Sequence, residues 1–243
     1  MNAFLARLDQ GVLLADGAMG TQLYARGVPF DECFDELNLT APDLVRGIHL
    51  DYLDSGAELI ETNTFGANRF KLAGHGLAGQ LAEINAAGVR LAREAAAISG
   101  RAVFVAGSMG PIGRPMAPLG AVSPDEVRDA FAEQAAALAR AGADVLILET
   151  FTDLAELVEA VRGAREAAPD RPLIAEMTFT REGKTLLGHA PREIVETLEQ
   201  LGVDALGANC SVGSQGILEV MQQMARAARR ARLCAMPNAG FPA

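Results

Sequence analysis

The chain has 243 residues, half of them hydrophobic and 21% charged, with a net charge of −10 and a pI near 4.8. That acidity disfavours nucleic acid and anionic membrane surfaces as main partners, and a chain this long buries a sizeable core without staples. Three cysteines, Cys33, Cys210 and Cys234, are odd in number and widely spaced; they argue against a disulfide framework and for a reducing, cytoplasmic compartment. The opening "MNAFLARLDQG" lacks a signal-peptide core, and no apolar run approaches the roughly 20 residues that span a bilayer.

In chain order, seven short apolar runs alternate with longer stretches of helical period. The runs are Val12–Ala15, Glu58–Thr62, Ala102–Ser108, Asp144–Thr150, Pro172–Phe179, Asp204–Asn209 and Leu233–Asn238. Their largely continuous apolar character predicts strands covered on both faces. Between them, Leu44, Ile48 and Tyr52 recur every four residues. Leu81, Ile84, Gly88, Leu91, Ala95 and Ile98 follow three/four spacing, as do Val127, Phe131, Gln134 and Leu138. Further stripes run through Leu154–Val161 and Ile194–Leu201, and all read as amphipathic helices laid on a sheet. "SPDE" at Ser123–Glu126 predicts a capped helix start with Pro in the first turn; "TAPD" and "APRE" are similar. A weak repeat joins "SGAELIET", "AGADVLILET" and "LGVDALGAN". In each, a Gly (Gly56, Gly142, Gly202) ends a helix and an acid opens the next strand.

Consecutive βα units predict a parallel α/β sheet closing as a (β/α)8 TIM barrel. An open doubly wound sheet is the alternative, but no G-x-G-x-x-G follows the first strand. Seven strands are counted. The expectation is one barrel domain over residues 1–243 that is C-terminally incomplete, its last βα unit missing.

In such a barrel the chemistry sits at the C-terminal strand ends. Those ends carry Asp16-Gly17-Ala18, Glu61-Thr62-Asn63, Ser108-Met109-Gly110, Glu149-Thr150, Glu176, Asn209-Cys210-Ser211 and Asn238-Ala239-Gly240. This ring has carboxylates, amides, bare glycines and one thiol, and it predicts a site without arginine or lysine. Phosphate chemistry is disfavoured, and a zwitterionic amino acid fits better. Glu149, at the inner end of an apolar strand, needs a partner when buried. Cys210 by itself reads as packing before chemistry, and its strand-end position beside Asn209 is what raises it as a functional thiol. Cys33 lies in an acidic loop that does not lower a thiol pKa, and Cys234 reads as packing. His49 reads as a surface helix residue, and His75 and His189 as loop residues, with no metal-ligand spacing.

The segments "LLADGAMGTQL", "LNLTAPDLVRGIHLDYLDSGAELIETNTFGAN", "GSMGP", "ILETF", "GANCSVG" and "PNAG" together resemble the homocysteine S-methyltransferase family, which includes the homocysteine module of methionine synthase and betaine–homocysteine methyltransferase. The resemblance implies a zinc-dependent barrel enzyme of methionine biosynthesis. L-homocysteine would bind as a zinc thiolate, held by three cysteine thiolates, and take a methyl group. Matched by motif, Cys210 would be a zinc ligand and, with Glu149, catalytic. Glu149 would take the substrate ammonium, the Asp16, Gly17 and Ala18 segment its carboxylate, and Asn238 would lie near the metal. The other two ligands in this family form a Gly-Gly-Cys-Cys pair that this chain lacks. They are expected beyond residue 243, and this chain alone is expected to be inactive and poor in zinc. The sequence leaves the methyl donor open among methylcobalamin, a methyltetrahydrofolate-linked source, betaine and S-methylmethionine, with a fused folate or reductase module as a further partner. Two other readings stand beside this one. The first is a barrel lyase or aldolase using Glu61, Glu149 and Glu176, with Lys184 as a poorly placed electrophile; the second is a metal-free amino-acid-binding module.

Overall fold

Alternation along a strand decides which side chains enter the interior of a curled sheet and which meet its helices. In the computed structural model, which describes residues 2–239, that alternation is laid down on six parallel strands. The elements run α1 (Ala3–Leu8), α2 (Met19–Ala25), α3 (Leu37–Thr40), α4 (Pro42–Asp54), β1 (Leu59–Glu61), α5 (Arg69–Gly74), α6 (Leu81–Ser99) and β2 (Phe104–Met109). They continue with α7 (Pro124–Ala141), β3 (Val145–Phe151), α8 (Leu154–Ala167), β4 (Leu173–Met177), α9 (Pro191–Gln200), β5 (Ala205–Gly213), α10 (Ser214–Ala227) and β6 (Arg232–Asn238). Neighbours in the sheet follow chain order, β1 to β6, in a curled half-barrel. Among the described residues no helix is long and apolar enough to cross a membrane.

Of the seven expected strands the first, Val12–Ala15, is corrected. It runs beside β1 as a single bridge, Ala15 to Leu59, with Leu14 O accepting from Glu58 N and Leu59 N. Val12 is 93% exposed, so its side chain adds nothing that would extend the ladder.

The apolar floor of the half-barrel comes from Leu59, Ala106, Val145, Ile147, Ile174 and Ala205, and Phe4 of α1 packs into it. Leu146 and Leu148 alternate outward and join the helices in the main core, where the Phe131 and Phe151 rings lie 5.6 Å apart. The repeated helix–Gly–acid joint has a physical basis on the page. Gly56, Gly142 and Gly202 have φ of 108°, 99° and 71°, the left-handed region that suits glycine. The acids that follow anchor the strand starts. Glu58 pairs with Arg7, Asp144 with Arg93 and Asp204 with Arg165. Asp144 and Asp204 also accept from the neighbouring strand's Val105 N and Leu173 N. Ser123 and Glu126 form the expected capping box, whereas the starts at Pro42 and Pro191 follow an alanine with no side-chain cap.

Candidate active site

Two steps along each strand from the apolar floor, the inward positions become polar. Glu61 follows Leu59, Ser108 follows Ala106, Glu149 follows Ile147 and Glu176 follows Ile174. Period two therefore gathers three carboxyls and a hydroxyl into one interior layer at the C-terminal end of the sheet. Asp16 joins it from the first segment, its Oδ2 accepting from Glu61 N at 2.9 Å while Oδ1 is buried without a partner.

Glu149 is the best-connected member. Ser108 Oγ donates to Oε1 at 2.5 Å, and Thr150 Oγ1 and Asn209 Nδ2 approach Oε2 at 3.3 and 3.4 Å. Burial raises its pKa, and hydrogen bonds from Ser108, Glu61 and Thr150 oppose the rise. Glu61 lies beside it among the same crowded carboxyls. Burial first, then the charges of Glu149 and Asp16, push it well above the usual carboxylate range. Asp16 is raised by burial and by Glu149. Glu176 is fully buried with neither oxygen partnered, and burial lifts it to about 8. One ionised carboxylate among protonated neighbours is the arrangement that such crowding favours.

Cys210 lies beside Glu149 because two strands break their alternation. The ladder shifts register between Leu148 and Phe151 on β3, and between Asn209 and Gly213 on β5. Thr150, Cys210 and Ser211 take φ of 63°, 58° and 56°, each in a region costing about 1–2 kcal/mol for a residue with a side chain. Asn209 braces the pair: Oδ1 accepts from Thr150 N at 2.9 Å, and Nδ2 donates to Thr150 Oγ1 at 2.8 Å and reaches Cys210 Sγ at 3.5 Å. Burial raises the Cys210 thiol pKa, with Thr150 lowering it and Glu149 raising it further.

These groups open on a cleft of about 470 Å³ that Gly17, Ala18, Glu61, Ser108, Glu149 and Cys210 line together. Gly17 is there for space: a Cβ would sit 3.1 Å from the Tyr52 hydroxyl, which donates to Ala18 O at 3.0 Å. Asn238 ends β6, paired in register with Gly213, but is not in the cleft wall; Gly240 of its motif lies outside the described residues. Cys33 also lines the cleft, its pKa raised by burial and by Asp35. Cys234 sits on β6 against Glu176. Among the described residues no group of three or more His, Cys, Asp or Glu is arranged to hold a metal ion. Cys210 alone does not fit a complete zinc site.

Two sequence expectations change here, the absence of a cation and the place of His49. Lys71 lines the cleft, so the ring does contain a cation. It escaped notice because it stands on α5, beyond the loop that follows β1; "NTFGANRFK" offers no periodic signal for a side chain that folds back over a strand end. His49 is fully buried on α4 with both ring nitrogens unpartnered, rather than on the surface. As expected, Lys184 is exposed in the loop after β4 and is not among the residues that line the cleft. His189 pairs with Glu193, and His75 is exposed at the cleft rim.

Residues 13–243 match the homocysteine S-methyltransferase family. The chain belongs to this family. It is 37% identical over 248 residues to methionine synthase of Mycobacterium tuberculosis, and 36% over 251 to that of Mycobacterium leprae. Those alignments cover 97% and 98% of this chain but 21% of each relative, so the chain spans about a fifth of the length of the curated relatives it matches. A solved family member, the metallated homocysteine methyltransferase MmuM of Escherichia coli, superposes with a TM-score of 0.84 at 28% identity. The match covers 97% of this chain and 86% of that one. The half-barrel thus matches a family fold, and Glu149, Cys210 and the Gly17–Ala18 segment converge on one cleft within it.

Proposed function

We propose that this chain is the homocysteine-binding module of an S-methyltransferase that forms methionine, built on six strands of a (β/α)8 barrel. The observation that carries the reading is the convergence of Glu149, the Gly17–Ala18 backbone and Cys210 on one cleft. The ionised Glu149 carboxylate, held by Ser108 and Asn209, takes the substrate ammonium. The Gly17 and Ala18 N–H groups, which meet no backbone acceptor among the described residues, take the carboxylate. A side chain anchored at those two points directs its sulfur along the cleft toward Cys210. The methyl group then passes to that sulfur by in-line displacement from the donor.

Cys210 is proposed as one ligand of the zinc that the family resemblance implies. The described residues supply no second thiolate beside it. A lyase reading is weaker: Glu61 and Glu176 are held protonated by burial, and Lys184 is not at the cleft.

Isothermal titration with L-homocysteine and L-homoserine tests the function. Both ligands are expected to bind through their ammonium and carboxylate groups, and any preference for the thiol is expected to be lost in Cys210→Ser. Glu149→Gln should weaken both by roughly 10–100-fold, as expected for a lost charge-assisted hydrogen bond. Failure of both to bind, or an unaffected Glu149→Gln variant, defeats the reading.

A further inference from the structure

Thr62-Asn63-Thr64 follows β1 directly, and its two hydroxyls close a ring on Ser108 of β2. All three hydroxyl residues are buried. Ser108 N donates to Thr62 Oγ1 at 3.0 Å, and Thr64 Oγ1 donates to Ser108 O at 2.7 Å. The two threonine hydroxyls stand 2.6 Å apart. A hydroxyl has one proton to give. That of Thr64 goes to Ser108 O, so the contact between the hydroxyls carries the proton of Thr62. The ring therefore runs in one sense only, from Ser108 N through Thr62 and Thr64 back to Ser108 O, and each bond polarises the next. Both backbone polar groups of Ser108 are fixed in this way, and its own hydroxyl donates to Glu149 Oε1 at 2.5 Å.

The ring is itself braced. Gln134 Nε2 of α7 donates to Thr64 O at 2.8 Å, and Asn38 Nδ2 donates at 2.7 Å to the carbonyl of Asn63, between the two threonines. Gly88 of α6 leaves the space: a Cβ there would come within 2.6 Å of Thr64 Cγ2 and 2.9 Å of Asn38 Nδ2. The outcome at Glu149 is asymmetric. Oε1 has the short bond from Ser108, while Oε2 has only the contacts at 3.3 and 3.4 Å from Thr150 and Asn209. In the amino-acid reading above, on which this inference rests, the ammonium needs a fixed carboxylate oxygen that no strong donor already holds. We propose that Thr62 and Thr64 are positioning residues of this site: they lock the Ser108 backbone so that its hydroxyl claims Oε1 of Glu149 and leaves Oε2 for the substrate ammonium. Both act through Ser108. Their contribution is preorganisation, since a carboxylate already aimed loses less freedom when the ammonium arrives.

The test is isothermal titration of L-homocysteine into variants that separate hydroxyl from shape. Thr64→Val keeps the shape and breaks the ring, and it should weaken binding by roughly threefold to tenfold. Thr64→Ser keeps the hydroxyl and should retain most of the affinity, although it lacks the methyl that lies against Gly88. Thr62→Val with Thr62→Ser is the second pair, used if a thermal melt shows Thr64→Val unfolded. Ser108→Ala should weaken binding to a similar extent. Adding Thr64→Val to it should weaken binding no further, because the threonine acts through that one hydroxyl. Losses that add, a serine variant as weak as its valine counterpart, or valine variants that bind normally each overturn this inference alone. Absence of binding by the unaltered protein overturns the methyltransferase reading, and this inference with it.

Discussion

Glu176→Gln puts a number on what the interior layer costs. Glu176 is fully buried, neither oxygen has a partner, and it titrates at about 8 against an ordinary 4.5. A carboxyl whose folded pKa is raised contributes its full stability below 4.5 and loses it as pH rises toward 8, because the unfolded chain releases a proton that the folded one retains. The slope is about 1.4 kcal/mol per pH unit, which makes the loss about 3 kcal/mol by pH 7. Glutamine keeps the shape and does not titrate. Urea unfolding of both proteins at pH 5, 6, 7 and 8 should therefore show the variant gaining on the native protein as pH rises, levelling off near pH 8. The difference between the two is the informative quantity, since any fixed penalty for the buried amide cancels from its slope. A difference that does not change with pH would mean that Glu176 has a partner or reaches water, and the account of the carboxyl layer would fail.

Two further substitutions probe the frame. His49 titrates at about 4 because burial disfavours its charged form, against 6.5 unfolded. Stability tied to it is complete above 6.5 and falls as pH drops toward 4, by about 3 kcal/mol. His49→Leu should flatten that acid limb in thermal melts, and an unchanged acid limb would show that other groups cause it. Gly163→Ala, which an isolated helix would favour by about 1 kcal/mol, should instead destabilise by about 1–3 kcal/mol, because its Cβ would fall 2.3 Å from Arg128 O where α8 crosses α7. A variant at least as stable as the native protein in urea would show that the two helices part at no cost.

What could be read in the sequence was whatever depends on local rules. Gly56, Gly142 and Gly202, the Ser123–Glu126 capping box and the strand-end carboxyls are each set by a few neighbouring residues, and each stands where the pattern put it. His49 was misread because α4 is buried over a wider arc than its every-fourth-residue stripe: Val45, Ile48, His49 and Leu53 all face inward. At the other extreme, Ile98 closes the α6 stripe yet is exposed, because the helix ends one residue later. Lys71 and the amides that hold the loop after β1 depend on contacts between distant segments. Asn38 Nδ2 donates to Asn63 O, and Gln134 Nε2 to Thr64 O. No local pattern marks such residues in advance.

Cys210 illustrates why motif and geometry carry different information. On β5 the inward positions are Ala205, Gly207 and Asn209, so a regular strand would turn Cys210 outward toward the helices. The same parity on β3 sends Thr150 outward after Glu149. Left-handed backbone at Thr150, Cys210 and Ser211 cancels that alternation, so that Thr150 joins Glu149, and Cys210 follows the buried Asn209, at the cleft. Hence Glu149 with Thr150, and Asn209 with Cys210, form one hydrogen-bonded set. The backbone cost, about 1–2 kcal/mol per residue, is offset in part by the Asn209 hydrogen bonds at about 0.5–1.5 kcal/mol each. Asn209 is thus the residue that lets a strained turn persist at this position. Strain of this kind is placed where four groups must meet and a regular strand pair would deliver only two.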